Sequence, residues 1–342
     1  MKALVLKERL KLSYEEVPMP EFGPADVLVA VKACGICGSD VHGLDGSTGR
    51  RQPPIIMGHE AAGIIAEVGS AVTGWQRGDR VTFDSTIYCG TCEFCRRGLV
   101  NLCTQRRVLG VSCDEYRQPG AFAEYVAVPG RILYRLPDTL PFEHAALIEP
   151  FAIAFHAIRR SPVTLNDTAV VVGCGMIGVA IIQAARLSGF GRIVAVDVAP
   201  EKLALAGHLG ATDLVNSNSA PVEEILRLTR GVGADRAFEA VGIEATVGLA
   251  VRCVRKGGAV TLVGNVAPQV ELPLQMVVTR ELTLSGTCAS AGEYPACLDM
   301  MARKAIDPAP LLGTVAPLAD GASWFDRLYR KEPGLLKVVL AP

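Results

Sequence analysis

The sequence predicts an α/β protein built from a β-rich module and a doubly wound parallel sheet, and three observations carry that expectation. Between residues 3 and 136, short β-type runs are broken repeatedly by glycine and proline. Between 168 and 286, strand-like and helix-like patterns alternate, which is the texture of a parallel sheet covered on both faces. At 342 residues the chain is also about twice the length of an ordinary single domain.

Residues 1–12 read as a first strand, because Lys7, Glu8 and Arg9 interrupt the apolar run before it reaches the length of a secretion signal. Further strands are expected at 27–31, 62–68, 80–84 and 123–128. The longest apolar stretch, 169–185, is shorter than the ~20 residues a membrane span needs, and glycines interrupt it. It is expected to form a strand over 169–172, a tight turn, and a helix over 176–188. Strands at 192–197, 214–216, 234–240 and 259–264 then alternate with helices at 202–209, 222–230 and 245–254. Past Gly286, helices at 294–303 and 324–330 and a strand at 336–340 are expected to return to the first module.

Half the residues are apolar, 35 are glycine and the formal net charge is -1, so nothing favours a nucleic acid partner. With no export signal or membrane anchor legible, the cytoplasm is the expected location. Thiols stay reduced there, and eleven cysteines then point to metal rather than disulfides.

Val170-Val171-Val172 leads into Gly173-Cys174-Gly175-Met176-Ile177-Gly178, with Asp197 nineteen residues beyond Gly178. Such glycines are weak evidence alone, but here a strand precedes them, a helix follows and an acid ends the next strand. They permit a tight turn and close approach to a pyrophosphate, whose charge the helix N-terminus meets. Asp197 is expected to accept from the adenosine ribose and to repel the extra phosphate of NADP. Val198 and Ala199 offer no arginine to offset that repulsion, so NAD is the expected cofactor.

Cys89, Cys92, Cys95 and Cys103 form a Cys-x2-Cys-x2-Cys-x7-Cys cluster. An iron–sulfur run of the bacterial ferredoxin type would place its fourth cysteine three residues on and follow it with proline, whereas seven residues intervene here and Thr104 follows. Four thiolates make a closed tetrahedral zinc site, which is structural because no position is left for substrate.

Cys34-Gly35-Ile36-Cys37-Gly38-Ser39-Asp40-Val41-His42 places two thiols, a hydroxyl, a carboxylate and an imidazole in nine residues. Cys34 and Cys37 could be a redox pair, but that pattern belongs with a thioredoxin-like βαβ unit, which this region does not resemble. His59 and Glu60 lie downstream and Glu149 further on. One thiolate, one imidazole and one or two carboxylates give the incomplete protein shell that a catalytic zinc requires.

These residues, with Gly58-His59-Glu60-x2-Gly63-x5-Gly69, Gly78-Asp79-Arg80-Val81, the four-cysteine cluster and the glycine turn, stand in the order seen in zinc-containing medium-chain alcohol dehydrogenases. The resemblance covers essentially the whole chain. Leu147-Ile148-Glu149-Pro150, with His156 following, and Thr279-Arg280-Glu281 look most like the sorbitol and galactitol-phosphate dehydrogenase branch, where a glutamate stands in place of a second cysteine ligand.

The resemblance implies a GroES-like catalytic domain over 1–152, completed by 292–342, and a Rossmann NAD-binding domain over 153–291. It implies two zinc ions per chain. Cys37, His59 and Glu60 would ligate the catalytic one, with Glu149 a fourth ligand or a neighbour that exchanges with water, and Asp40 behind them. Ser39 would take the substrate proton toward His42, and Lys202 would touch the adenosine ribose. The implied activity is oxidation of a secondary alcohol of a polyol, cyclitol or sugar alcohol, phosphorylated or not, in a homodimer or homotetramer. L-Threonine or 2,3-butanediol oxidation on the same scaffold, and a non-catalytic zinc and nucleotide-binding protein, are the alternatives.

Gly43 departs from the aromatic residue that sorbitol dehydrogenases often carry after the histidine, and so leaves the pocket wall open. His144 and His208 read as ordinary packing residues, and Cys34, Cys113, Cys174, Cys253, Cys288 and Cys297 as buried small hydrophobes.

Overall fold

A computed structural model describes residues 1–113 and 116–342. Its backbone divides into two compact units, Met1–Glu149 with Ser290–Pro342, and Pro150–Ala289.

The first unit is organised by a seven-stranded sheet. Its order runs Leu133–Arg135, Arg80–Phe83, Glu60–Val68, Asp26–Gly35, Val338–Ala341 and Thr314–Pro317, and Tyr125–Pro129 also pairs with Asp26–Gly35. Only the last pair on that path, Thr314–Pro317 with Val338–Ala341, is parallel. Val27, Val29, Val31, Ile65, Val81, Phe83, Phe122 and Leu340 share one buried core, and burying side chains of this size stabilises by about 1.5–3 kcal/mol each. The opening segment is not one strand but a hairpin, Lys2–Glu8 against Lys11–Glu16, because the chain reverses at Leu10, which takes a left-handed φ of 61°. The polar interruption at 7–9 marks that turn.

The second unit is a six-stranded sheet in the order Asp213–Asn216, Arg192–Asp197, Thr168–Val172, Ala234–Glu239, Val254–Leu262 and Thr283–Gly286, parallel throughout. The chain therefore reverses direction of travel beside Thr168–Val172, where doubly wound sheets bind ligands. The helices Met176–Leu187, Pro200–His208, Pro221–Leu228 and Glu244–Cys253 alternate with these strands. Two of them begin on proline, whose missing N–H costs nothing at a first helical position. The strand expected from 259 begins at Val254, which pairs with Ala234 across an irregular register. A short helix, Leu274–Thr279, was not legible in the pattern.

Cys34, Cys174, Cys253 and Cys297 are buried, but Cys113 is half-buried and Cys288 is exposed. Cys288 lies two residues beyond the end of the strand Thr283–Gly286. Among the described residues, no helix is long and apolar enough to cross a membrane.

Candidate metal centres and dinucleotide turn

The four-cysteine cluster is assembled locally. Cys92 stands at the N-terminus of the one-turn helix Glu93–Arg96, and Cys103 follows a 3-10 turn. The ligand atoms of Cys89, Cys92, Cys95 and Cys103 all lie within 4.8 Å of one another. Cys92 Sγ and Cys95 Sγ are 3.5 Å apart, and Cys89 Sγ and Cys95 Sγ 4.0 Å. A tetrahedron with Zn–S bonds near 2.3 Å has edges of roughly 3.8 Å, so the spacing suits a single ion, whereas a multi-iron cluster would hold its sulfurs farther apart.

Backbone N–H groups point at the sulfurs. Thr91 and Cys92 donate to Cys89 Sγ at 3.4 and 3.3 Å, and Cys89 and Gln105 donate to Cys103 Sγ at 3.2 and 3.3 Å. Donation from Thr91 lowers Cys89 to about 7, and the Cys95 backbone N–H lowers Cys92 to about 5. Desolvation pushes Cys95 the other way, up to about 12. Thiolates favoured by donated hydrogen bonds are what a metal requires.

The second group comes from distant parts of the chain. Cys37 is the N-cap of the helix Gly38–Gly43, His59 precedes the strand Glu60–Val68 and Glu60 begins it, and their ligand atoms also lie within 4.8 Å of one another. Gly58 holds a φ of +93°, and a Cβ there would meet Phe122 at 2.8 Å and Cys34 Sγ at 2.9 Å, so only glycine turns the chain into His59. Behind His59 sits Asp40, fully buried, with Oδ1 3.3 Å from Nδ1 but off hydrogen-bond alignment. Asp40 thus faces the Nδ1 edge of the ring, and the opposite ring nitrogen is the one left for a metal.

The electrostatics of this group suit a divalent cation. Burial would lower His59, but Asp40 and Cys37 raise it well above its ordinary value. Burial would raise Asp40, yet His59 and Arg51 hold it far below the carboxylate range. Loss of solvent pushes Glu149 up to about 7, with Asp84 and Glu60 adding to the effect. A carboxyl raised by burial and by neighbouring acids is offset by a positive ion beside it.

Two cations missed in the sequence complete the surroundings. Arg51, buried, donates through Nη2 to Asp40 Oδ1 at 2.9 Å and to Ser39 Oγ at 3.4 Å. Lys337, also buried, pairs with Glu60 Oε2. A Cβ at Gly35 would lie 2.7 Å from Glu60 Oε2 and 2.9 Å from Lys337 Cε, so glycine makes room for that pair. A lone lysine within the apolar run Leu335-Leu336-Lys337-Val338-Val339 was a visible signal, but Arg51 in a polar loop gave none. Arg51 also explains Gly43, because a side chain there would collide with Arg51 Cγ.

Ser39 and His42 lie three apart on the helix Gly38–Gly43, both exposed. No hydrogen bond joins their side chains among the described residues. Glu149 stands in the first turn of the helix Ile148–Arg159, outside the group of three. Its Oε1 accepts from Ser85 Oγ at 3.1 Å and its Oε2 from Tyr294 Oη at 3.2 Å.

In the second unit, Gly173 has a φ of +92°, and a Cβ at Gly178 would collide with the Gly173 carbonyl oxygen. Gly175 caps the helix Met176–Leu187 without a side-chain cap, and a Cβ there would meet nothing within 4 Å. The first turn, with Met176 and Ile177, thus opens onto free space where an anion can approach backbone N–H groups. Asp197 ends its strand, buried, with Oδ2 accepting from the Cys174 N–H at 2.7 Å and Oδ1 from the Ala199 N–H at 3.0 Å. The carboxylate therefore braces the glycine turn itself, and each oxygen keeps a lone pair for a ribose hydroxyl. Lys202 lies in the first turn of the helix Pro200–His208, exposed.

Comparison with known proteins agrees with this geometry. Residues 23–138 match the alcohol dehydrogenase GroES-like domain, and residues 177–303 match the zinc-binding dehydrogenase family. Sorbitol dehydrogenase from Bacillus subtilis is 34% identical over 100% of this chain and 97% of its own length. The crystal structure of galactitol-1-phosphate dehydrogenase from Escherichia coli superposes with a TM-score of 0.92 at 28% identity, covering 100% of each chain. That of a zinc-binding dehydrogenase from Sinorhizobium meliloti 1021 bound to NADP gives 0.89 at 32% identity, covering 100% of this chain and 99% of the other.

Proposed function

We propose, from the premise that this chain belongs to the zinc-binding alcohol dehydrogenase family, that it oxidises a secondary alcohol of a polyol or sugar alcohol with NAD. The observation that carries the reading is the Cys37, His59 and Glu60 group, three donors that leave a fourth position for a substrate oxygen. Similarity to sorbitol and galactitol-1-phosphate dehydrogenases supports the polyol class.

A zinc ion held by these three residues supplies the Lewis acidity that brings an alcohol's pKa down toward ~7, and the nicotinamide supplies the hydride acceptor. Asp40, with Oδ1 3.3 Å from Nδ1, faces His59 from behind and orients the ring. Ser39 Oγ takes the substrate hydroxyl proton, and His42, one helical turn on and exposed, delivers it to solvent. Arg51 donates to Ser39 Oγ, which leaves the serine's own proton free to point elsewhere. Gly173, Gly175, Met176, Ile177 and Gly178 receive the pyrophosphate, while Asp197 and Lys202 hold the adenosine ribose.

Cys89, Cys92, Cys95 and Cys103 hold a second, structural zinc. A homodimer or homotetramer fits the exposure of Val266, Leu274 and Val278, 60–65% exposed apolar side chains close in sequence to the edge strand Thr283–Gly286. Eleven free cysteines suit the reducing cytoplasm.

The test is initial rates of nicotinamide reduction with stereodefined polyols, polyol phosphates, L-threonine and 2,3-butanediol, each with NAD and with NADP. A preferred polyol with NAD supports the proposal. Preference for threonine or butanediol overturns the substrate class alone, and faster turnover with NADP overturns the cofactor. No turnover with both metals bound favours the non-catalytic zinc protein.

A further inference from the structure

Glu149 stands outside the Cys37, His59 and Glu60 group, yet near enough to interact through its charge with His59 and Glu60. Two hydroxyls account for that position. Tyr294 is fully buried, and its ring stacks on Tyr134 at 4.8 Å between centroids with 17° between planes, so its Oη cannot turn toward water. That Oη donates to Glu149 Oε2 at 3.2 Å. Ser85 is also buried, and its Oγ donates to the other oxygen, Oε1, at 3.1 Å.

The loop carrying Ser85 is itself fixed. Asp84 accepts from the Thr86 N–H at 2.8 Å and from Ser290 Oγ at 3.0 Å, and the Ser85 carbonyl accepts from the Leu109 N–H at 3.1 Å. Neither donor can follow Glu149 if it moves. Movement of the carboxylate onto the metal would therefore strand two buried hydroxyls, and an unpaired buried donor is costly.

We propose that Ser85 and Tyr294 are positioning residues that together latch Glu149 away from the metal, reserving the fourth coordination position for the substrate oxygen. The inference rests on the zinc-dehydrogenase reading and adds to it the residues that keep the site open.

The test uses the full-length holoenzyme with cobalt(II) exchanged into the chelator-labile site. Tyr294→Phe keeps the stacked ring, and Ser85→Ala keeps the loop backbone. In the double variant, cobalt release to a chelator is expected to slow by about tenfold and its visible absorption bands to shift, because Glu149 now completes the shell. Both changes should vanish when Glu149→Gln is added. If the double variant does not fold, each single substitution should show the same changes at about threefold. An unchanged spectrum and release rate, or changes that persist with Glu149→Gln, overturn the latch while leaving the zinc reading intact. Absence of a labile metal in the parent chain overturns that reading and the latch together.

Discussion

The two candidate metal groups lie in the same unit but are built in opposite ways. The four-cysteine lobe takes its ligands from fifteen consecutive residues, 89–103, and stabilises its sulfurs with backbone N–H donors from the same loop. The Cys37, His59 and Glu60 group draws on separate segments, and its supports come from farther still: Asp40 and Arg51 behind His59, Lys337 on Glu60. The local loop brings four thiols together without help from the rest of the fold. Ligands carried by separate elements can leave one side open and let buried charges tune the other.

Removing a ligand from each group should separate chemistry from stability. Cys37→Ala is expected to cost several kcal/mol of transition-state stabilisation, on the order of 10⁴-fold in kcat/KM, with the thermal transition shifted little. Cys92→Ser should do the reverse, losing one tightly held zinc and lowering Tm while the remaining folded protein turns over. Retained activity in the first variant, measured by steady-state kinetics with metal analysis, would collapse the distinction.

The long-range supports can be tested next. Lys337→Met leaves the Glu60 carboxylate buried without its cation, and losing one partner of a buried pair costs about 3–5 kcal/mol. Urea unfolding of the metal-free protein should show that loss, and an unchanged midpoint would mean Glu60 finds other compensation. Asp40→Asn keeps the shape but removes the charge facing His59. A fall of about 10–100-fold in metal affinity or kcat is expected, read by chelator competition beside kinetics.

The smallest effect concerns pH. Cys92 is depressed to about 5 by the N–H of Cys95, so its thiolate contribution is fully present above the ordinary thiol value and is lost as pH falls through about 5. Protons compete with zinc for that thiolate, so release of zinc from the lobe should increase as pH falls. Release already complete near neutrality would show that the donated N–H bonds do little.

Legibility followed the same division. Cys89, Cys92, Cys95 and Cys103 announced themselves by spacing, and the glycine turn by its context, because each is a local device whose geometry follows from a few consecutive residues. The alternating pattern of the second unit placed the strand Arg192–Asp197 to the residue. The hairpin at Leu10 was missed because a single left-handed residue leaves little trace in periodicity. Ser85, Tyr294 and Arg51 were missed because nothing in their neighbourhoods says what they face, whereas Lys337 stands out in its apolar run without naming its partner.

By itself, then, the sequence determined the two-part α/β architecture, the donor types gathered at each candidate metal group and the glycine turn, all of which depend on short-range pattern and side-chain chemistry. The tertiary structure alone decided that Lys337 meets Glu60 across 277 residues, that Arg51 takes the space Gly43 leaves, and that Glu149 is held by Tyr294 and Ser85. The physical reason is that buried polar groups must find partners wherever the packed strands bring them, and that pairing is set by sheet register and packing, which no local pattern encodes.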